Sequence, residues 1–586
     1  MKAKHFLSVL FFLFSIDCIH AQNTDSELNL DFEIVDNGIP KGWIITPPTQ
    51  GKNFVTLDSV NVKSGKFSIH LSFEDSVRQR ILLSLPNKYN GEKMTLSGHI
   101  KTENVTNGYA GFNLFSSSIP PIILSDTIRI TGTTDWQKYE LTVDFSSLQG
   151  EEILFGGYFN GKGKAWFDDF NLYLDGENII DIIDPTPKLL SENEITALKK
   201  YIYPLKTYEP DGGDTKDLAI LDQLIDNSKV VGLGEVTHGS GVIFKMKNRI
   251  IQYLAANHGF DIFSIEANMP ESYKLNNYTV RGEGNPKNLI ADMYFGIWNT
   301  EEVLNMVEWM RRYNQPKQRI EFTGFDMQFY EGAINELLEA FKGNTDFENR
   351  IFDLKKKINE TGLLYHNKGS VYIDDNKMED FNSIISILWN NISTSPFQTS
   401  EKEWLQQNTV IIRQLMGLYC RNNMPLSDWR DKCMADNLMW IKEHNPNSKI
   451  VVWAHNGHIQ KTNQKMGYHL VQKLGDDYVT FGFTFYEGSF TASGNRGFTS
   501  YDAIQAYPGT LEYLLEQVKE PIFILDMKKI KSDNNKDTEW LMQRLVYRMV
   551  GASGENQNEF FGGKISEDFD YLIFIKTSFP SKLLNR

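Results

Sequence analysis

Two patterns of apolar and polar residues divide the chain. Up to about residue 180, short runs such as FSIHLSF, MTLSGHI, QKYELTVDF and KAWFDDFNLYL alternate apolar with polar positions. Gly, Asn, Asp and Thr turns separate them. A period of two with frequent turns predicts strands that bury one face, and hence an all-β sandwich over residues 22–185. The sequence Asp184-Pro185-Thr186-Pro187 cannot lie inside a regular element, so the sandwich ends there. Ser191 and Glu194 then have the spacing of a capping box ahead of ITALKKYI, which opens a second domain over residues 188–586. In it, almost wholly apolar strands are predicted at 229–234, 260–265, 319–324, 449–454, 478–484, 522–525 and 571–575. Amphipathic stretches such as EEVLNMVEWMRRY fall between most of them. Strands without polar alternation are buried on both faces, which predicts a mainly parallel sheet covered by helices. Between about 330 and 445 the strands stop and only helical patterns remain, an insertion able to roof a site. The predicted fold class is therefore multidomain: an all-β sandwich followed by an α/β domain with a helical insertion.

Composition adds a compartment and removes some partners. The first residues combine a basic start, an apolar run from Phe6 to Ile16 and a small residue at Ala21. This predicts a signal peptide over residues 1–21 and an exported protein, periplasmic or extracellular. Cys18 follows Asp17, a poor context for a lipid anchor. The chain carries a net charge of −15, and loss of residues 1–21, with Lys2, Lys4 and Asp17, makes it −16. An acidic surface repels phosphate backbones, so nucleic acid is not an expected partner. Cys420 and Cys433 are the two remaining cysteines, and sequence does not establish whether they pair.

Ligands of open parallel sheets bind beyond the carboxyl ends of the strands, so those ends were read for chemistry. SKVVGLGEVTHGSGVIFKMKNRI, residues 228–250, leaves its strand on Glu235 and His238. The next strand ends on Glu266 and the third on Asp326. The fourth runs into VVWAHNGHI with His455 and His458. Singly these residues have plain explanations: a hydrogen-bonded loop histidine, a helix-capping Glu266, a solvated Lys247. Their convergence on one sheet edge, drawing three of only eleven histidines, favours a reaction site. No Gly-x-Ser-x-Gly elbow is present, and Ser240 lies on the wrong side of the turn for one. An imidazole held by a carboxylate can instead take a proton from water, with Lys247 and the histidine pair stabilising an oxyanion. The alternative is a divalent metal, zinc or manganese, held by Glu235, His238, Glu266, His455 and His458. The spacing is not that of a helical H-E-x-x-H site, and both readings stay open.

The segments GEVTHGSGVIFKMKNRIIQYLAANHGF, FSIEAN, YFGIWNTEEVLNMVEWMRRYN, GFDMQ, RDKCMADNLMW, VVWAHNGHI and GFTFYEGSF, in this order over about 225–495, resemble the erythromycin esterase family. The resemblance implies hydrolysis of an ester or lactone, a macrolide being the candidate, without a required cofactor. It implies His238 as the base that activates water, with Glu235, Glu266, Lys247, His455 and His458 as its catalytic companions. Trp298, Asp326 and Arg430, within the matching segments, become candidate substrate-binding residues. Lys247 departs from the arginine often found there, keeping the charge but losing a two-pronged donor. LDFE…GIPKGW, SGKFSIHL and WFDDFNLYL resemble carbohydrate-binding jelly-roll modules, which implies a glycan as a second partner. Trp43, Trp136 and Trp166 could stack on sugars, although filling the sandwich core is the plainer reading. Two further functions remain: a metal-dependent hydrolase built from the same Glu/His set, and a glycan-binding protein with an inactive esterase-like domain.

Overall fold

Strands that are apolar on both sides must be covered on both faces, and the second domain is built on that requirement. The computed structural model describes residues 28–584 apart from 37, 47–53, 86–90, 117–122, 126–127, 146–152, 181–188, 211–213, 361–374, 419–425, 495 and 555–558. The leader, Cys18, the Asp184–Pro187 boundary and Cys420 thus lie outside the described residues. Cys433 is buried.

The first domain is an antiparallel β-structure around three long strands, Ser68–Leu85, Lys93–Ser116 and Ile153–Leu174. Each is shared between two groups of neighbours. Phe54–Asp58 pairs with the first part of Ser68–Leu85, and Trp43–Thr46 with its last part. Register breaks between Phe73 and Val77, and between Ile100 and Ala110, mark bulges where the long strands bend. The two layers enclose one apolar core that includes Leu71, Leu96, Phe112, Phe155 and Phe167. Trp43 belongs to that core, and Trp166 stacks on His70 while its indole N–H donates to Asp58 Oδ2 at 2.8 Å. With 4% and 3% exposure neither can present a face to a sugar; Trp136 is half-buried.

The second domain opens with the expected helix, Glu192–Leu198, whose Ser191–Glu194 capping box is formed in both directions. Its sheet contains β1 (Ile202–Pro204), β2 (Val230–Leu233), β3 (Phe260–Asn268), β4 (Glu321–Asp326), β5 (Lys449–Trp453), β6 (Tyr478–Gly494), β7 (Ile522–Asp526) and β8 (Tyr571–Ser578). The order is β1-β7-β8-β6-β2-β5-β3-β4, with Gly497–Asp502 folding back on the end of β6. From β8 to β4 all neighbours are parallel; β7 is antiparallel to β8, and β1 to β7. The sheet is thus mainly parallel, as expected, and the direction of the 522–525 run had no sequence signal, since an apolar strand buried on both faces looks the same in either direction. Separate apolar clusters cover the two faces, one around Val230, Ile450, Val452 and Leu525, the other around Val231, Val451, Phe481 and Ile524.

The insertion consists of helices Glu331–Ala340, Thr345–Glu360, Asp375–Thr394, Thr399–Leu418 and Leu426–His444. No helix among the described residues is long and apolar enough to cross a membrane.

Candidate active site

β2 sits between β5 and β6, and its carboxyl end gives way at once to Gly234, Glu235 and the turn to His238. The turn is tight because two glycines admit close neighbours. A Cβ on Gly234 would lie 2.1 Å from Asn456 Oδ1, and one on Gly239 would lie 1.7 Å from the Thr491 carbonyl oxygen. Asn456 in turn bonds the backbone of Phe483 through both ends of its amide, and its N–H donates to the Glu235 carbonyl at 2.8 Å. Ser240 caps the helix Gly241–His258, which brings Lys247 back beneath the loop.

Glu235 is fully buried and all its bonds are internal. Its Oε1 lies 2.7 Å from His238 Nδ1. Its Oε2 accepts from Lys247 Nζ and from the Trp453 indole, each at 2.7 Å. Burial opposes its charge, but the Lys247 ammonium and then His238 outweigh burial and hold its pKa below the usual carboxylate value. A carboxylate at Nδ1 places the ring proton there and turns Nε2 into the basic atom. Trp298 packs edge-on to this imidazole at 5.9 Å.

Lys247 is also fully buried. Besides Glu235 it reaches the Ala454 carbonyl at 3.3 Å and lies 4.6 Å from the centre of the Trp453 ring. Burial pushes its pKa down to about 8 against the pull of Glu235. The expectation that Lys247 faces a developing oxyanion is corrected by this geometry: it faces the back of Glu235. Trp298 needs a similar correction. It is fully buried, its indole N–H donates to the Glu266 backbone carbonyl at 2.9 Å, and it supports His238 instead of lining an open surface.

The other half of the cluster forms around Glu266. Its Oε1 accepts from Arg430 Nη2 at 2.8 Å and lies 3.2 Å from His458 Nε2; its Oε2 accepts the His455 backbone N–H at 2.9 Å. Arg430 also grips Asp326 through Nε at 3.2 Å and Nη2 at 2.7 Å. His458 Nδ1 lies 2.7 Å from Asp431 Oδ1. Burial opposes charge on His458, yet Asp431 and Glu266 prevail and raise its pKa to about 9, so it is an imidazolium at neutral pH. Against burial, His458 and Arg430 hold Glu266 well below its ordinary pKa.

The two histidines of AHNGH have opposite states. Burial, reinforced by His238 and His458, pushes the His455 pKa down to about 4. Its Nδ1 accepts from the Gly457 N–H at 3.1 Å. Its Nε2 faces the carbonyls of Val550 at 2.8 Å and Val236 at 3.2 Å, so the proton of the neutral ring sits on Nε2. That N–H is already committed, and His455 acts as a spacer whose ring lies 5.0 Å from His238 and 6.4 Å from His458.

All nine residues expected from the sequence therefore meet in one cluster, with Asp326 and Arg430 paired to each other. Asp431, Trp453 and the Val550 carbonyl were not anticipated. Asp431 adjoins Arg430 and Trp453 stands two residues before His455, so both lay inside matching segments; Val550 had no local signal. Apart from His238 Nε2, the five residues weighed as metal ligands spend their side-chain donor atoms on one another, on Arg430, Lys247, Trp453 and Asp431, and on backbone groups. Among the described residues no group of three or more His, Cys, Asp or Glu side chains is disposed to hold a metal ion. The set does not fit a metal.

The family model for erythromycin esterase matches residues 255–578, over half of the chain. The chain belongs to the erythromycin esterase family and is a hydrolase of that family. The match takes in Glu266, Asp326, Arg430, His455 and His458 and begins after the Glu235–His238 loop. Erythromycin esterase type II of Escherichia coli is 26% identical over 327 residues, covering 49% of this chain and 76% of its own. YbfO of Bacillus subtilis is 23% identical over 421 residues, with 66% and 91% covered. A crystal structure described as a succinoglycan biosynthesis protein superposes with a TM-score of 0.58 at 27% identity, over 67% of this chain and 98% of that one. These similarities belong to the second domain.

Proposed function

We propose that the chain is an exported esterase that cleaves a lactone or other carboxylic ester by direct attack of water, with a macrolide as candidate substrate. The observation that carries this reading is the 2.7 Å contact between Glu235 Oε1 and His238 Nδ1. It orients the ring and leaves Nε2 to take the proton of a water molecule as the oxygen attacks the acyl carbon. Arg430 and His458 supply positive charge for the developing oxyanion, a role in which they replace Lys247. Collapse of the tetrahedral intermediate expels the alcohol, and His238 returns its proton. No covalent acyl-enzyme and no metal enter the scheme. Export is proposed from the leader pattern, and glycan binding by the first domain from its motifs; a glycan array probed with the full chain tests the latter.

The test is mass spectrometry of a fourteen-membered macrolide incubated with the protein. Gain of one water by the drug, absent with His238→Ala, supports both the esterase and the base. An unchanged drug with folded protein removes macrolides as the substrate. Turnover that survives in His238→Ala removes the proposed base.

A further inference from the structure

We propose that Tyr294, Phe295 and Phe329 form an aromatic wall at the mouth of the active site that receives the apolar body of the ester and sets its size preference. The inference rests on the esterase reading above and concerns residues which that reading does not use.

The three rings come from two loops and meet each other. Tyr294 and Phe329 have ring centres 4.8 Å apart, and Phe295 meets Phe329 edge-on at 5.6 Å. They are not fully buried: Tyr294 is 38% exposed, Phe329 is half-buried, and Phe295 is half-buried with one side against the apolar core. Both loops are tied to the catalytic cluster. Phe329 follows Asp326 by three residues, and the intervening Gln328 donates to Asp326 Oδ2 at 2.8 Å. The backbone of Phe329 is held in both directions by the amide of Asn268, two residues beyond Glu266 on β3. On the other loop, the Phe295 carbonyl accepts the N–H of Trp298, whose indole supports His238. A partly exposed aromatic surface joined by such short links to polar reacting groups is the make-up of a small-molecule pocket.

The backbone at Tyr294 supplies a separate reason to look for a task. Its φ is 68°, in the left-handed region that glycine enters without steric cost and a bulky residue does not. The position closes the turn after the helix Pro286–Ala291, where glycine would serve the fold better. A tyrosine there, with its ring outside the core, costs the fold something and gains it little packing. A role for the ring in substrate contact accounts for its presence.

The experiment compares 4-nitrophenyl acetate with 4-nitrophenyl octanoate, which share a leaving group and differ in apolar body, on the full chain, Tyr294→Gly and Phe329→Leu. Tyr294→Gly relieves the strained backbone, so its melting temperature should equal or exceed that of the parent. The expected result is a rise in KM for the octanoate of about tenfold in each variant, with kcat for both esters and KM for the acetate within about twofold. An unchanged octanoate KM in both variants, with the parent active, overturns the wall and leaves the esterase reading standing. Equal losses on both esters overturn it too, since they mark a structural role. Failure of the parent to cleave either ester overturns the esterase reading and the wall with it.

Discussion

At the scale of single residues the site is a set of opposed ionisations. Glu235 and Lys247 are both out of contact with water, and each stays charged because of the other. Removing one partner of a buried pair leaves an uncompensated charge, which typically costs about 3–5 kcal/mol. Lys247→Met should therefore destabilise the protein by about that amount in urea unfolding, whereas Lys247→Arg, which restores the charge, should recover most of the loss. His458 makes a second prediction. Its folded pKa, about 9, lies above the ordinary histidine value of 6.5, so its ionisation stabilises the fold fully below pH 6.5 and loses that effect as pH rises through 9. Lys247, pushed down to about 8, acts in the opposite sense, and stability gained from it rises above pH 8. Between pH 6.5 and 8 the His458 contribution is unopposed by Lys247, and the difference in melting temperature between the parent and His458→Gln should shrink across that window. A constant difference would place His458 in its neutral form.

At the scale of elements, the loop after β2 depends on backbones that approach too closely for any side chain. Gly239→Ala would drive a Cβ into the Thr491 carbonyl, and the backbone there is held by hydrogen bonds from the Thr491 and Ser581 N–H groups to the Gly239 carbonyl. The expected cost is about 1–3 kcal/mol, with loss of hydrolysis out of proportion to the loss of stability, because the displaced loop carries His238. Chemical denaturation and turnover measured on the same preparation check this. The last helix of the insertion, Leu426–His444, supplies Arg430 and Asp431, so the insertion completes the site. The sequence pattern placed this stretch within the helical insertion and gave Asp431 no role.

At the scale of the molecule, the two domains have separate apolar cores, one in the sandwich and one on each face of the α/β sheet. None of the residues in the catalytic cluster comes from the sandwich. Residues 189–586 produced alone should fold and cleave the same ester with kcat within about twofold of the full chain, as expected of a domain with its own core. Loss of activity on truncation would assign the sandwich a part in catalysis. Dialysis of the full chain against a chelator should leave turnover unchanged, in line with donor atoms that are already bonded to one another. A loss restored by zinc or manganese would contradict the metal-free scheme.

Local physics put the fold class and the chemistry into the sequence. Short, wholly apolar runs bounded by turn residues read as strands buried on both faces, and the polar residues at or just past their ends, Glu235, Glu266, Asp326 and His455, mark the edge where ligands reach such a sheet. Partnership is not a local property. Arg430 meets Asp326 across 104 residues and Glu266 across 164, and Val550 meets His455 across 95. Arg430 comes from a helix and Val550 from a loop, and no periodicity records which strand ends they reach. Tertiary structure alone decided that Lys247 and Trp298 stand behind the reacting groups, that His455 is neutral while His458 is charged, and that His238 Nδ1 meets Glu235. Burial and neighbouring charge set ionisation, and both exist only once the chain has folded.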